Sequence, residues 1–407
     1  MKKLLLILLA FLFINNVNSQ TLTWQSLGTS TEGAFCFTKN STNTKLYRST
    51  YGVFMSVDSG ATWQNIFPWS GSGVFSAIVK GDTLFAEFSH CSGYEGIKYT
   101  VDDGQNWIRI DNGFAGTFSV YALAANQTTI YAAAYDAVYY TNNTGQTWQM
   151  YSTPHAAGGA YSVCTDGNNI CVGSSGRVFI SNDNGITWNM KLLPLPFGYI
   201  AWKVHMEGNK IFAATGGGLF CSLDNGNSWT LMGMSGENVV GLLFYGQYIF
   251  ASTSKVTIPV YHDAHVYFSS DSGSTWMQAD NGIPSPDEIF DFILFDNKII
   301  AGTGYGTSGI FYTNLNSLGI NSFNSNENNV AIFPNPANDF ITIQYDFNAE
   351  MIFSLYNSFG QQISSKSFAE NSKAIQIATN TFSNGIYYWN LTNKSQVVRS
   401  GKVAIVK

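Results

Sequence analysis

Apolar and polar positions alternate along much of the chain, in short runs that end at turns rich in Gly, Asn and Asp. Runs such as GVFMS, GIKYT, AVYYT and RVFIS contain aromatic and β-branched residues, which favour strands. Hairpins are predicted at VKGDTLFA, TDGNNICV, MEGNKIFA, FYGQYIFA and LFDNKIIA, where a polar turn separates two apolar runs. The pattern therefore predicts an all-β chain of antiparallel strands.

One polar turn recurs six times, each time between two strand-like runs. The copies read SVDSGATW, TVDDGQNW, TNNTGQTW, SNDNGITW, SLDNGNSW and SSDSGSTW. The Gly supplies a positive φ, and the Asp or Asn can accept hydrogen bonds from the turn's own backbone. The Trp buries a large ring beside the turn. A structural role thus accounts for every fixed position, and a metal or catalytic role for the Asp residues is the alternative.

The spacing of these turns predicts a closed ring of repeats. Their tryptophans follow one another at intervals of 40 to 47 residues, which suits one four-stranded propeller blade. The repeat region begins with TLTWQSLG, which reads as the fourth strand of a blade, with its Trp24, but is not preceded by the first three strands. It ends with KIIAGTGYGTSGIFYTN, which reads as the first three strands of a blade without the fourth. Joined, the two pieces complete a blade. The prediction is a seven-bladed β-propeller whose N-terminal strand closes the last blade and removes the open sheet edges.

The six turns resemble the Asp box, also called the bacterial neuraminidase repeat, which occurs in sialidases, sortilin-type receptors, xyloglucanases and the photosystem II assembly factor. The resemblance covers Thr21 to about Asn314. It implies a propeller of the sortilin and assembly factor-like type. It does not specify a function, because these families share the scaffold and differ in their sites.

The N-terminus has the pattern of a secretory signal peptide. MKKLLLILLAFLFINNVNS places two Lys before an apolar run, followed by small or polar residues and a predicted cut after Ser19. The apolar run is shorter than the ~20 residues that span a membrane. Residues 1–19 are therefore predicted to be a signal peptide, residues 20–314 the propeller, and the mature chain is expected to lack a transmembrane segment.

A second domain is predicted after an Asn- and Ser-rich linker at 315–329. The segments IFPNPANDFITIQY, LYNSFGQQI, NGIYYWNL and SGKVAIVK, within 330–407, resemble the type A C-terminal sorting domain of the type IX secretion system. This resemblance implies a small β-sandwich, export across an outer membrane and a partner in the secretion machinery. The matching positions are Pro334, Asn335, Pro336, Gly360, Gly385, Tyr387 and Lys402.

The composition argues against one class of partner. Charged residues make up 11% of the chain, aromatic residues 15%, and the net charge is −6. Nucleic acid binding is not expected, because it requires a basic stripe. Of the five cysteines, Cys164 and Cys171 flank the turn TDGNNI and are predicted to face each other and to form a cross-strand disulfide in an oxidising compartment.

With the four strands of each blade called A to D in chain order, antiparallel connectivity places the Asp boxes, which join C to D, on one face of the propeller. The longer B to C loops within a blade and D to A loops between blades lie on the other face. We expect the ligand on this second face, where loops on a rigid scaffold concentrate binding residues. The insert TSKVTIPVYHDAHV in blade six and the loop ADNGIPSPDEIF are the leading candidates. Candidate ligand-binding residues are Tyr261, His262, Asp263, His265, Asp287, Glu288, Trp69 and Tyr94. Other loop residues of suitable chemistry are Glu95, Asp111, Phe114, Asp136, His155, Arg177, Phe197, Tyr199, Glu237 and Asp280.

These residues favour a non-catalytic glycan-binding or protein-binding and adhesion propeller. The alternative is a glycoside hydrolase or lyase that acts on extracellular polysaccharide. Against a sialidase, the propeller contains three arginines, Arg48, Arg109 and Arg177, and each falls at a different strand position. A third hypothesis is a metal at His262 and His265, but loop histidines are mostly solvated. No catalytic residue, metal or cofactor is therefore assigned.

Overall fold

A computed structural model of the protein describes most of the chain beyond its first residues. The described residues are 22–28, 32–68, 73–88, 96–114, 119–151, 159–196, 198–254, 264–284, 288–304, 309–315, 330–333, 337–345, 351–357, 362–368, 374–393 and 396–405. The chain divides into two compact units, Met1–Gly319 and Ile320–Lys407. Strands are numbered in chain order.

The first unit contains seven four-stranded antiparallel sheets, which are the blades. The N-terminal strand is β1 (Gln25–Ser26). Blade one comprises β2 (Cys36–Lys39), β3 (Leu46–Ser49), β4 (Gly52–Ser56) and β5 (Gln64–Pro68). Blade two comprises β6 (Ala77–Lys80), β7 (Thr83–Phe88), β8 (Gly96–Thr100) and β9 (Ile108–Arg109). Blade three comprises β10 (Val120–Ala125), β11 (Ile130–Ala134), β12 (Val138–Thr141) and β13 (Gln149–Met150).

The remaining blades follow the same order from the centre outwards. Blade four comprises β14 (Ala160–Asp166), β15 (Asn169–Ser174), β16 (Arg177–Ser181) and β17 (Asn189–Leu192). Blade five comprises β18 (Ala201–Glu207), β19 (Lys210–Thr215), β20 (Gly218–Ser222) and β21 (Thr230–Gly233). Blade six comprises β22 (Asn238–Tyr245), β23 (Tyr248–Ser254), β24 (Val266–Ser269) and β25 (Met277–Gln278). Blade seven comprises β26 (Ile289–Phe295), β27 (Lys298–Thr303) and β28 (Ile310–Asn314), with β1 as its outer strand.

The ring closes as the sequence predicts. Strand β1 pairs antiparallel with β28, and the innermost strands contact one another in a complete cycle that joins blade seven back to blade one. Hydrogen bonds also join these two blades, from Phe37 N to Asp291 Oδ2 at 2.8 Å and from Ala34 N to Thr303 O at 2.8 Å. The seven-bladed propeller with a shared last blade is confirmed.

Each Asp box is a self-contained network of hydrogen bonds. In blade one, Ser56 Oγ donates to Asp58 Oδ1 at 2.8 Å and accepts from Gly60 N at 2.8 Å. Thr62 donates to both oxygens of Asp58, from its N at 2.9 Å and its Oγ1 at 2.6 Å. The residue before each Gly also has a positive φ, for example 57° at Ser59. The recurring acid therefore holds the turn's own backbone, as expected of a structural residue.

Three of the six Asp-box tryptophans donate a hydrogen bond to the preceding blade. Trp107 of blade two donates from Nε1 to the carbonyl of Ile66 in blade one at 3.1 Å, and Trp276 of blade six donates to Met232 of blade five at 3.0 Å. Trp24 continues this scheme, because its Nε1 donates to Ala279, which directly follows the outer strand of blade six, at 2.6 Å. The repeated Trp thus stabilises the packing between blades as well as the turn beside it.

The Asp boxes make a testable contribution to acid stability. Hydrogen bonds lower the pKa of the Asp224 carboxyl to about 2, the largest contribution coming from the Ser228 side chain, and the pKa values of the four other box aspartates are also lowered. A folded pKa below the unfolded value of about 3.9 gives stabilisation that is complete above that pH and lost as the pH falls towards 2. Blade three already has Asn143, whose Oδ1 accepts from Thr141 Oγ1 and Thr147 N and whose Nδ2 donates to Thr147 Oγ1.

We expect the fivefold variant D58N/D102N/D183N/D224N/D271N to fold and to lose less thermal stability than the parent between pH 5 and about pH 2.5. The measurement is the melting temperature across this pH range. Asp82→Asn, at an exposed turn outside the boxes, is the control. Parallel pH profiles for the parent and the fivefold variant would contradict the assignment.

The two central residues of the blade-four hairpin turn are Gly167 and Asn168, as predicted, and Cys164 is the direct cross-strand partner of Cys171. The predicted disulfide is not formed in the structure, which holds both cysteines as free thiols. A hydrogen bond between the two thiols and burial raise the pKa of Cys171, so its neutral form is stabilised.

The second unit consists of two antiparallel sheets. The three-stranded sheet contains β29 (Val330–Phe333), β30 (Phe340–Tyr345) and β33 (Ala374–Ala378). The four-stranded sheet contains β31 (Met351–Tyr356), β32 (Gln362–Phe368), β34 (Gly385–Asn393) and β35 (Gln396–Ile405). Buried residues from both sheets form one core, including Ile341, Phe353 and Leu391. This is the small β-sandwich that the resemblance to the sorting domain implies.

Candidate functional site

The centre of the propeller contains a cavity of about 580 Å³. Its lining comes from the innermost strand of every blade, so it is the axial space that the seven blades enclose. Pockets of roughly 300 to 1,000 Å³ are typical of small-molecule sites in proteins. The axial cavity is therefore the leading candidate site in the described part of the chain.

A ring of large side chains surrounds the cavity where the innermost strands begin. The equivalent residues, one in each blade, are Phe35, Phe75, Tyr121, Tyr161, Trp202, Val240 and Phe290. In blades three to seven this residue is skipped in the pairing with the next strand, which marks a bulge. A bulge re-aims a side chain away from the regular alternation. The start of the innermost strand lies on the face opposite the Asp boxes, because the boxes follow the third strand.

The phenylalanines form the tightly packed side of this ring. Phe35 is 5% exposed, stacks on Phe75 with ring centroids 4.8 Å apart, and meets Phe290 edge-on at 5.7 Å. These rings contact one another across blades seven, one and two. Their contribution is therefore mainly to packing.

The opposite side of the ring is richer in tyrosine and tryptophan. The ring centroids of Tyr121 and Tyr161 lie 4.9 Å apart, and those of Tyr161 and Trp202 lie 5.8 Å apart. Trp202 is 37% exposed, and its Nε1 donates to Asn238 Oδ1 at 2.7 Å. These rings combine an apolar body with a polar tip, which is a common composition of binding surfaces.

Two exposed tyrosines extend this group outwards. Tyr135 is 55% exposed and lies near Tyr161, whose pKa is raised by burial and by the neighbouring Tyr135. Tyr199 is 40% exposed, and a Cβ added to Gly216 would come within 3.2 Å of its ring and within 3.6 Å of the Asn238 side chain. Asn238 is the residue that holds Trp202. The set Tyr121, Tyr135, Tyr161, Tyr199 and Trp202 is called the aromatic patch below.

One ion pair lies in the cavity wall next to the aromatic patch. Lys203 of blade five bonds through Nζ to Asp291 Oδ1 of blade seven, and both residues line the cavity. Blade six, which lies between them, has Gly241 at the equivalent position. Cys36 also lies nearby, and burial, followed by the charge of Asp291, raises its thiol pKa to about 12. The thiol is therefore neutral, and the pair is the charged part of the described lining.

Most of the predicted ligand-binding residues lie outside the described residues, namely Tyr261, His262, Asp263, Asp287, Trp69 and Tyr94. Two are described. His265 Nδ1 lies 2.8 Å from Asp280 Oδ2 and 3.0 Å from Gln278 Nε2, and the backbone carbonyl of Glu288 accepts from Gly304 N at 2.7 Å. No group of three or more potential metal ligands occurs among the described residues.

Several other loop residues of the sequence analysis have structural contacts. Asp111 pairs with Arg109 at 2.6 Å, Phe114 stacks on Tyr139 at 4.2 Å, and Glu237 accepts from the Tyr267 hydroxyl at 3.2 Å. Tyr199 is the member of the aromatic patch that the sequence analysis includes. Tyr121, Tyr161 and Trp202 were missed because their strand positions read as core, although an aromatic residue recurs there in phase with the repeat, and Tyr135 lies in the loop after β11.

The predicted sorting positions fall within the second unit, Ile320–Lys407. Pro334, Asn335, Pro336 and Gly360 are outside the described residues. Gly385 begins β34, and Tyr387 is buried with its hydroxyl donating to Ser383 O at 3.0 Å. Lys402 in β35 is the cross-strand partner of Tyr388. In the described part of the chain, no helix is long and apolar enough to cross a membrane.

Two protein-family models match segments of the chain. Residues 331–406 match the secretion system C-terminal sorting domain, and residues 179–190 match the BNR/Asp-box repeat. No curated protein sequence matches the chain. The protein is thus an Asp-box β-propeller that carries a type IX secretion sorting domain, and it is exported by that system to the cell surface or beyond.

Solved structures share the fold at low sequence identity. YCF48 bound to D1 peptide is 15% identical, with a TM-score of 0.54 over 72% of this chain and 95% of that chain. PorZ of Porphyromonas gingivalis, an essential bacterial surface component of the type IX secretion system, is 13% identical, with a TM-score of 0.51 over 92% of this chain and 60% of PorZ. An ancestral GH74 enzyme is 13% identical, with a TM-score of 0.52 over 75% of this chain and 39% of the enzyme. This chain therefore spans less than two thirds of the latter two.

Proposed function

We propose that the exported propeller is a non-catalytic binding and adhesion module whose ligand is a glycan or a protein. The observation that carries the proposal is the aromatic patch, which lies beside the axial cavity on the face opposite the Asp boxes. Tyrosine and tryptophan supply large contact areas with few rotatable bonds, so they lose little entropy on binding. In the same proposal, residues 1–19 are the signal peptide, 20–314 the propeller, 315–329 the linker and 330–407 the sorting domain.

The cavity chemistry favours binding over glycoside hydrolysis. Glycosidases commonly use two carboxyl groups on either side of the scissile bond. The described lining of the cavity contributes one carboxylate, that of Asp291, which already accepts from Lys203 and from Phe37 N. Both oxygens of this carboxylate therefore already have partners. Glycoside hydrolase or lyase activity remains the alternative function.

The proposal is tested by probing a combined glycan and peptide array with the full chain. Peptides are included because the similar propeller YCF48 was solved bound to a peptide. Hits should be confirmed by calorimetry, and each glycan hit should be incubated with the protein and analysed for cleavage. Binding without cleavage supports the proposal, whereas turnover of a bound glycan would replace it with the enzymatic alternative. Absence of any array ligand would refute it.

A second contact region is proposed at the blade-six insert, and Trp69 and Tyr94, at a separate place in the ring, are the next candidates if that region fails. We expect the triple variant Y261A/H262A/D287A to weaken binding of the array ligand by at least about tenfold, because clustered rings, donors and acceptors on loops favour recognition. The matched control is Met277→Ala, a 42% exposed residue on the outer strand of blade six. Unchanged affinity in the triple variant would exclude this region.

A further inference from the structure

The axial cavity combines three features at one place. It is enclosed by all seven blades, the aromatic patch forms one side of its opening, and the Lys203 and Asp291 pair lies in its wall. Trp202 belongs to the patch and is the sequence neighbour of Lys203. A ligand that enters the cavity along the patch would therefore contact the rings and the ion pair together.

The chemistry of these groups matches a sugar ring. A pyranose has apolar C–H faces that stack on aromatic rings and an edge of hydroxyl groups that both donate and accept hydrogen bonds. The patch offers the rings, Lys203 offers a donor and Asp291 offers an acceptor, and these last two groups are hydrogen-bonded to each other. Since the two charges cancel, the described lining favours an uncharged sugar over an acidic one.

We propose that the axial cavity binds one end of a neutral glycan chain, with a terminal sugar stacked against Tyr161 and Trp202 and its neighbouring hydroxyl groups bonded to Lys203 and Asp291. This inference rests on the proposed binding function and deepens it. We specify one end of the glycan because a polymer enters the axial cavity of a seven-bladed ring end-on. An internal segment would have to thread through the axis.

A peptide fits the same space less well. Each residue of an entering peptide brings an N–H and a C=O group that need partners when buried. The two serine hydroxyl groups of the lining already have backbone partners, because Ser76 Oγ accepts from Leu123 N at 2.8 Å and Ser162 Oγ donates to Ala201 O at 2.8 Å. The cavity therefore offers few groups to satisfy a peptide backbone, while a sugar can turn its remaining hydroxyl groups towards the opening.

The experiment is calorimetric titration of the full chain with neutral hexasaccharides of glucose, xylose and mannose. We expect at least one to bind, and Trp202→Ala to weaken that binding by at least about 30-fold, as expected for a central aromatic anchor. Trp202→Phe should retain most of the affinity because it keeps a ring. Met277→Ala, remote from the cavity, should retain all of it.

The ion pair is tested with the double variant K203M/D291N, which removes both charges and leaves no buried charge unpaired. We expect it to keep the fold, as judged by its melting curve, and to bind the same hexasaccharide at least about tenfold more weakly. Blocking the terminal sugar of the hexasaccharide by methylating its hydroxyl groups should abolish binding to the parent protein.

These experiments distinguish a failure of this inference from a failure of the proposed binding function. If the array yields a peptide ligand and no hexasaccharide binds, this inference is wrong while the proposed binding function stands. The same holds if a hexasaccharide binds with equal affinity to Trp202→Ala and to the parent. If neither the array nor the hexasaccharides yield a ligand, both fail.

Discussion

A chain that begins at Gly28 should be several kcal/mol less stable than one that begins at Gln20. The shorter chain lacks β1, whose Gln25 and Ser26 pair with Tyr312 and Phe311 of β28. It also lacks Trp24, which is 2% exposed. Truncation of a buried tryptophan alone costs ~3 to 5 kcal/mol. The loss should appear as a lower denaturation midpoint in guanidinium chloride.

The contacts of Trp24 explain why one short strand has such an effect. Its ring meets Phe250 of blade six at 6.2 Å and Phe292 of blade seven at 6.2 Å, and its Nε1 donates to Ala279. Removing it opens a cavity between two blades and leaves the edge of β28 unpaired.

Two full-length variants separate these causes. Trp24→Ala keeps the strand and should show most of the loss, while Gln25→Ala, an exposed position on β1, should show little. Equal midpoints for the two chain lengths would be incompatible with a last blade shared between the two ends of the propeller.

The fold could be predicted from the sequence because its repeat is local. Each Asp box folds through contacts among eight consecutive residues, so the local sequence specifies the turn directly. The positive φ of the residue before each Gly was missed, because Ser59, Thr144 and Asn225 share no side-chain feature. The closure of the last blade could be predicted by counting strands, because the strand predicted at Trp24 is not preceded by the three other strands of a blade.

The candidate site was harder to predict because its parts are distant in the sequence. Lys203 and Asp291 belong to blades five and seven, and the contact skips the blade between them, which no periodicity encodes. The patch residues Tyr121, Tyr161 and Trp202 sit at bulges, where the side chain leaves the regular alternation of a strand. A pattern of period two therefore assigns them to the wrong environment. Aligning the first strand of every blade would have revealed the recurring aromatic residue.

Deletion of residues 330–407 should stop export of the propeller while leaving it folded. The sorting match covers residues 331–406, and the contacts within Met1–Gly319 define a compact unit of its own. In a Gram-negative host with the type IX machinery, we expect the truncated chain to accumulate in the periplasm and to be nearly absent from the surface and the medium. Fractionation followed by immunoblotting measures this distribution, and the melting temperature of the purified truncated chain checks its fold.

A point substitution makes the same test with the chain length preserved. Phe353 is fully buried in the core of the second unit, and its ring stacks near Trp389 with centroids 5.8 Å apart. Phe353→Ala should cost ~3 to 5 kcal/mol, a large fraction of the stability of so small a domain, and should therefore reduce export strongly. Tyr388→Ala, at a 52% exposed position on the same sheet, is the matched control and should be exported normally. Normal amounts of the Phe353→Ala chain or of the truncated chain outside the cell would show that export does not depend on a folded sorting domain.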